Sequence, residues 1–142
     1  MKILIVEDNC LLAFFVEDLL REAGHDIIGP AASYEEAIRL INIDSPDMGL
    51  LDINLAGTKT GIDLSHELYD RNIPSIFMSS SLIGLGDEKF SVGSLPKPYR
   101  LQSVVETVEY LRCHIKGTLT PPLPLGFVLF GGGKGASRPA VH

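Results

Sequence analysis

The chain has 142 residues with a net charge of −6 at pH 7, and 45% of its residues are hydrophobic, enough for one core and one domain of ordinary size. Excess acid argues against a phosphate-backbone ligand, which requires clustered Lys and Arg. Two cysteines, Cys10 and Cys113, stand in no metal or redox spacing and form no disulfide framework, and no stretch reaches transmembrane length.

In chain order, Lys2-Ile3-Leu4-Ile5-Val6 reads as a fully buried central strand that runs directly into two acids, Glu7 and Asp8. Asn9 is a good helix cap, and the first helix is expected to turn Leu12, Phe15, Val16, Leu19, Leu20 and Ala23 inward before Gly24 ends it. Asp26-Ile27-Ile28-Gly29 is a short second strand. Ser33 and Glu36 form a capping box ahead of a helix through Ala37, Ile38, Leu40 and Ile41, which stops before Ser45-Pro46. A third apolar run, Met48-Gly49-Leu50-Leu51, ends at Asp52, and a polar loop from Leu55 to Gly61 leads to a third helix over roughly 62–69.

Pro74 introduces a fourth strand, Ser75-Ile76-Phe77-Met78, and a fifth is expected around Val92 to Leu95. Between Ser79 and Lys97 there is no clear face of helical period, which predicts a loop with at most one helical turn. Leu101, Val104, Val105, Val108, Leu111 and Ile115 recur at spacings of three and four and mark the last helix. From Gly117 to residue 142 the chain turns rich in Pro and Gly and carries no acid, which predicts a flexible extension beyond a 1–116 domain. Residues 123–130 are too apolar for an indifferent linker. They are expected to cover an apolar patch in the same or a neighbouring protomer, which leaves a homodimer open.

Short apolar runs alternating with helical segments predict an α/β, doubly wound parallel sheet. Parallel strands bring their carboxyl ends to one edge, so Glu7, Asp8 and Asp52 are expected in one cleft. Crowded acids repel unless a cation neutralises them or one pKa rises, and a hard divalent ion such as Mg²⁺ suits carboxylate oxygens. The chemistry this suggests is metal-assisted phosphoryl transfer, with Ser79 after the fourth strand and Lys97 after the fifth to hold the transferred group.

Glu7-Asp8, Leu51-Asp52-Ile53-Asn54-Leu55, Ser79 and Lys97-Pro98-Tyr99, in this order, resemble the response-regulator receiver domain, CheY-like, over residues 1 to about 115. The resemblance implies a flavodoxin-like sheet of order 2-1-3-4-5, with the fourth helix shortened or absent here. It implies that Asp52 accepts phosphate from a sensor histidine kinase or phosphotransfer protein. It further implies that Mg²⁺ is bound by Asp8, Asp52 and the Asn54 backbone carbonyl with Glu7 acting through water, that Lys97 pairs with the phosphoryl oxygens, and that Ser79 follows the phosphate. The short 79–97 segment is similar to the atypical FAT GUY subgroup, with Phe77-Met78-Ser79-Ser80 a partial match to that motif.

Two departures stand out. Ser79 replaces the usual Thr, and Ser94 occupies a position that is usually aromatic, with Phe90 and Tyr99 as rings that could substitute. The expected protein is a cytoplasmic single-domain response regulator with an unidentified output protein and without direct DNA or membrane binding. It is expected not to be an enzyme beyond its own phosphorylation and dephosphorylation at Asp52. The alternatives are a pseudo-receiver that never accepts phosphate, and a haloacid-dehalogenase-type phosphatase, which needs a second acid where Asn54 stands.

Overall fold

A computed structural model describes residues 1–80 and 86–130. Its first five strands, β1 (Lys2–Val6), β2 (Asp26–Ala31), β3 (Met48–Leu51), β4 (Ser75–Phe77) and β5 (Gly93–Ser94), lie parallel in the order β2-β1-β3-β4-β5. Four helices accompany them: α1 (Cys10–Glu22), α2 (Tyr34–Ile43), α3 (Gly61–Asp70) and α4 (Leu101–Lys116). The chain is the doubly wound, flavodoxin-like α/β fold that the sequence predicts.

Side chains alternate across each strand, so the sheet builds two cores. Ile3, Ile5, Met48, Leu50, Ile76 and Met78 pack with Val16 and Leu20 of α1 and Val104, Val108 and Leu111 of α4. On the other face Leu4, Val6, Leu51 and Phe77 pack with Ala37 and Ile41 of α2 and Leu64 and Leu68 of α3. β1 and β3 are covered on both faces, which is why they read as unbroken apolar runs.

Helix starts follow local chemistry. The Asn9 side chain accepts from the Leu12 N–H at 3.1 Å, and Ser33 Oγ accepts from the Glu36 N–H at 3.2 Å. Thr60 caps α3 with a reciprocal box, its backbone N–H donating to Asp63 Oδ2 at 2.8 Å.

Three expectations need correction. Phe15 and Ala23 of the first helix do not turn inward: Phe15 is 43% exposed and Ala23 is exposed, while Ala13, Val16 and Leu20 form the covered stripe. α1 packs against the sheet and α4, and a stripe of that width leaves Phe15 and Ala23 outside it. The second strand runs two residues further than expected, to Ala31.

The sheet also has six strands rather than five. Residues Val128–Leu129 of the extension form β6, antiparallel to β5, and Phe127 is buried in the core beside them. This part of the extension, expected to be flexible, follows the edge of its own sheet.

Between β4 and β5 the described residues hold one 3₁₀ turn, Asp87–Phe90, in keeping with a reduced fourth crossover helix. Phe90 rests on His66 and Tyr69 of α3, with ring centroids 3.9 and 5.1 Å apart. Residues 81–85 of the expected loop and 131–142 of the extension lie outside the described residues. No helix among the described residues is long and apolar enough to cross a membrane.

Candidate functional site

The acidic cluster follows from strand register. β1 and β3 pair with Val6 beside Leu51, and the Asp52 N–H donates to the Val6 carbonyl at 2.9 Å, so Glu7 and Asp52 leave the sheet side by side. They do so at the strands' carboxyl ends, at the point where strand order reverses between β1 and β3. Asp8 completes the group: one carboxylate oxygen from each of Glu7, Asp8 and Asp52 lies within 4.8 Å of the others. Glu7 and Asp52 are buried, whereas Asp8 is exposed.

Lys97 reaches the same point from β5. Its chain is led there by hydrogen bonds of the Leu95 N–H to the Phe77 carbonyl at 2.8 Å and of its own N–H to the Ser79 carbonyl at 3.1 Å. Its Nζ donates to Glu7 Oε1 at 2.6 Å and to Asp52 Oδ2 at 3.1 Å. Ser79 itself is buried whereas its neighbour Ser80 is exposed, which separates two serines that the sequence leaves adjacent and alike. Asn54 is exposed at the rim, and its N–H donates to Asp52 Oδ1 at 3.3 Å.

Electrostatics bear out the crowding. The Glu7 carboxyl is pushed up to about 7, first by burial and then by its hydrogen-bonded approach to Asp52, although Lys97 and the Asn9 N–H, which donates to Glu7 Oε2 at 3.1 Å, oppose the shift. Burial acts to lower the Lys97 pKa, but the hydrogen bonds to Glu7 and Asp52 outweigh it and the net shift is upward, so the ammonium stays charged. An all-oxygen donor set of this compactness, with one exposed member and more negative charge than a single ammonium offsets, fits a hard divalent cation.

Glu7, Asp8, Asp52 and Lys97 therefore meet at one sheet edge, with the Asn54 backbone at the rim and the Ser79 backbone beside Lys97. The sequence reading missed three features. Lys97 bridges Glu7 directly, a contact no local pattern reveals. Tyr99 lines a cavity of about 10 Å³ beneath Glu7 and Asp52, and its hydroxyl is buried without a hydrogen-bond partner. Gly61 sits so close to the Asp52 carbonyl that a Cβ would lie 1.9 Å from its oxygen; the only sequence signal is a glycine opening a helix right after a capping threonine. Ser94, where a ring is usual, is buried and paired with Val128 of β6.

The family model for the response regulator receiver domain matches residues 3–109, three quarters of the chain. The chain belongs to this family. Receivers are signalling modules of two-component systems, non-enzymatic by themselves, and as a class they work with histidine kinases or phosphotransfer proteins. This receiver is 26% identical to the transcriptional regulatory protein PdtaR of Mycobacterium tuberculosis over 113 residues, covering 76% of this chain and 55% of PdtaR. It is 33% identical to the phyllosphere-induced regulator PhyR of Methylorubrum extorquens over 99 residues, covering 68% of this chain and 35% of PhyR. The receiver thus spans about half the length of one of these relatives and about a third of the other. The solution structure of the receiver domain of Erythrobacter litoralis PhyR superposes with a TM-score of 0.69 at 32% identity, over 76% of this chain and 86% of that one.

Proposed function

We propose that this receiver is a phosphorylation switch: Asp52 takes a phosphoryl group from a sensor histidine kinase or phosphotransfer protein, and the loaded form binds another protein or drains phosphate from a shared kinase. The observation that carries this reading is the Lys97 ammonium held between Glu7 and Asp52, with Asp8 alongside. A buried carboxylate at a strand end, next to a fixed cation, is placed to act as nucleophile and to have its product's charge met.

In the reaction an Asp52 oxygen forms a bond to phosphorus while the bond from phosphorus to the donor imidazole nitrogen breaks in line. The leaving imidazole departs with the bonding pair and takes up a proton. Lys97 then trades its contact with Asp52 for the new phosphoryl oxygens, and the Ser79 hydroxyl, two residues past β4, would hydrogen-bond to them. Mg²⁺ held by Asp8, Asp52 and the Asn54 backbone carbonyl, with Glu7 reaching it through water, would offset charge on the transferred group. Asp8, the exposed acid, is the one most accessible to an ion arriving from solvent.

Incubation with acetyl phosphate and Mg²⁺ followed by intact mass tests the proposal. One phosphoryl addition is expected, lost in Asp52→Asn, with no turnover of generic phosphate esters. A wild-type chain that binds Mg²⁺ yet gains no mass would overturn it in favour of a phosphate-independent interaction module.

A further inference from the structure

The strand that delivers Lys97 is shared with the C-terminal extension. Gly93 and Ser94 of β5 pair with β4, flanked by hydrogen bonds of the Val92 and Leu95 N–H groups to the Ser75 and Phe77 carbonyls, and the same two pair on their other side with Leu129 and Val128 of β6. The Phe130 N–H extends the ladder, donating to the Val92 carbonyl at 2.8 Å. Three residues beyond Ser94 comes Lys97, with its ammonium on Glu7 and Asp52.

The extension is held there by two buried residues, Pro124 and Phe127, and by Phe130, half-buried against the opposite core. Phe127 is 4% exposed, joins the core that includes Val104, Val108 and Leu111, and has its ring centroid 6.1 Å from that of Tyr110. Its seat exists because residue 93 has no side chain: a Cβ on Gly93 would lie 2.4 Å from the Val128 carbonyl oxygen and 2.5 Å from Phe127 Cζ. Gly126 lies against Leu95, its added Cβ 3.8 Å from Leu95 Cδ1, two residues before the lysine.

Between these contacts the strand itself lies open to solvent. Val128 and Leu129 are 49% and 40% exposed, and residues 118–126, which connect α4 to the anchor, form no helix or strand. A short, solvent-facing ladder at the end of an irregular connection is the mark of a segment that opens before the rest of a domain.

We propose that residues 127–130 are a displaceable cover on the β5 edge, and that loading of Asp52 loosens them through β5 and Lys97. This inference rests on the reading of Asp52 as phosphoacceptor. The register seen here satisfies both the Lys97 contacts and the Gly93 seat. When Lys97 follows the phosphoryl oxygens, the end of β5 moves with it, and a seat with no spare space beside Gly93 accommodates no shift. Release would bare a strand edge and an apolar notch, the surface type that accepts an added strand. Linkage makes the coupling reciprocal: weakening the cover must ease loading.

Backbone amide exchange on the full chain, with and without Mg²⁺ and beryllium fluoride as the phosphoryl mimic, tests this. Loading is expected to speed exchange at residues 93–94 and 127–130 by at least about fivefold, the low end of allosteric couplings. Phe127→Ala should show that faster exchange without the mimic and should load at a several-fold lower beryllium fluoride concentration. Val128→Pro, which alters a half-exposed edge residue and spares the core, should do the same if loss of the ring unfolds the domain. Slowed exchange near Asp52, at residues 52–60, with unchanged exchange at 93–94 and 127–130 would overturn the cover while sparing the phosphoacceptor reading. Unchanged exchange at 52–60 under saturating mimic would overturn both. Variants that load no more easily than wild type would also refute the coupling.

Discussion

Replacing Gly61 with alanine tests how the nucleophile is positioned. On an exposed helix this change would stabilise by up to about 1 kcal/mol. Here the new Cβ would stand 1.9 Å from the Asp52 carbonyl oxygen, 2.8 Å from its carbon and 2.9 Å from Ile53 Cα. Restoring a separation of 3.0 Å from that oxygen requires a displacement of about 1 Å, and every atom in the way is backbone. α3 cannot simply retreat, because the Gly61 N–H donates to the Ile53 carbonyl at 2.9 Å. Overpacking of this kind costs about 1–3 kcal/mol, and a misplacement near 1 Å can slow a reaction on the order of 100-fold. We expect Gly61→Ala to lower Tm by about 4 °C per kcal/mol lost. Phosphoryl addition from acetyl phosphate, followed by intact mass over time, should slow far more than the stability loss explains. Wild-type Tm and a wild-type rate together would refute the idea that Gly61 fixes the Asp52 backbone.

Three further outcomes follow from the site. With its carboxyl pushed up to about 7, Glu7 is largely protonated at pH 5.5 in the ion-free protein, and binding a divalent cation favours the ionised form. Mg²⁺ affinity should therefore rise several-fold from pH 5.5 to 6.5 and level off about one unit above pH 7; calorimetry showing a flat profile would contradict the assignment. Because the folded pKa lies above the ordinary value, the same group stabilises the ion-free fold below about pH 4.5, and that contribution is lost as pH rises through 7. Ion-free Tm should accordingly gain less from pH 5 to pH 8 than that of Glu7→Gln. Tyr99→Phe removes a buried hydroxyl without a partner, so thermal unfolding should show a change within about 0.5 kcal/mol or a slight gain. A loss above about 1 kcal/mol would mean that the hydroxyl is bonded after all.

What could be read from the sequence was whatever local pattern encodes. Asp52 was legible because four apolar residues place it at a strand end, and Asn9 because a cap precedes a periodic stretch. Lys97 stood out between two prolines. Contacts made across long stretches of chain were not legible. The apolar character of 123–130 was plain, but the seat of Phe127 is set by a missing Cβ 34 positions earlier, which no periodicity records. Helical spacing gives the orientation of α1 only to within the width of its stripe, and Phe15 fell on the uncovered side. The Lys97–Glu7 contact spans 90 residues and depends on both strands keeping register.

The side-by-side register of β1 and β3 also limits how such a chain can change length. One residue added within 2–6 or 48–51 would turn Glu7 or Asp52 to the opposite face and dismantle the cluster at a stroke. The exposed stretch 57–59 belongs to no strand, so insertions there would leave the acids where they are. Length variation among descendants of this gene should therefore collect in such loops and spare the strands.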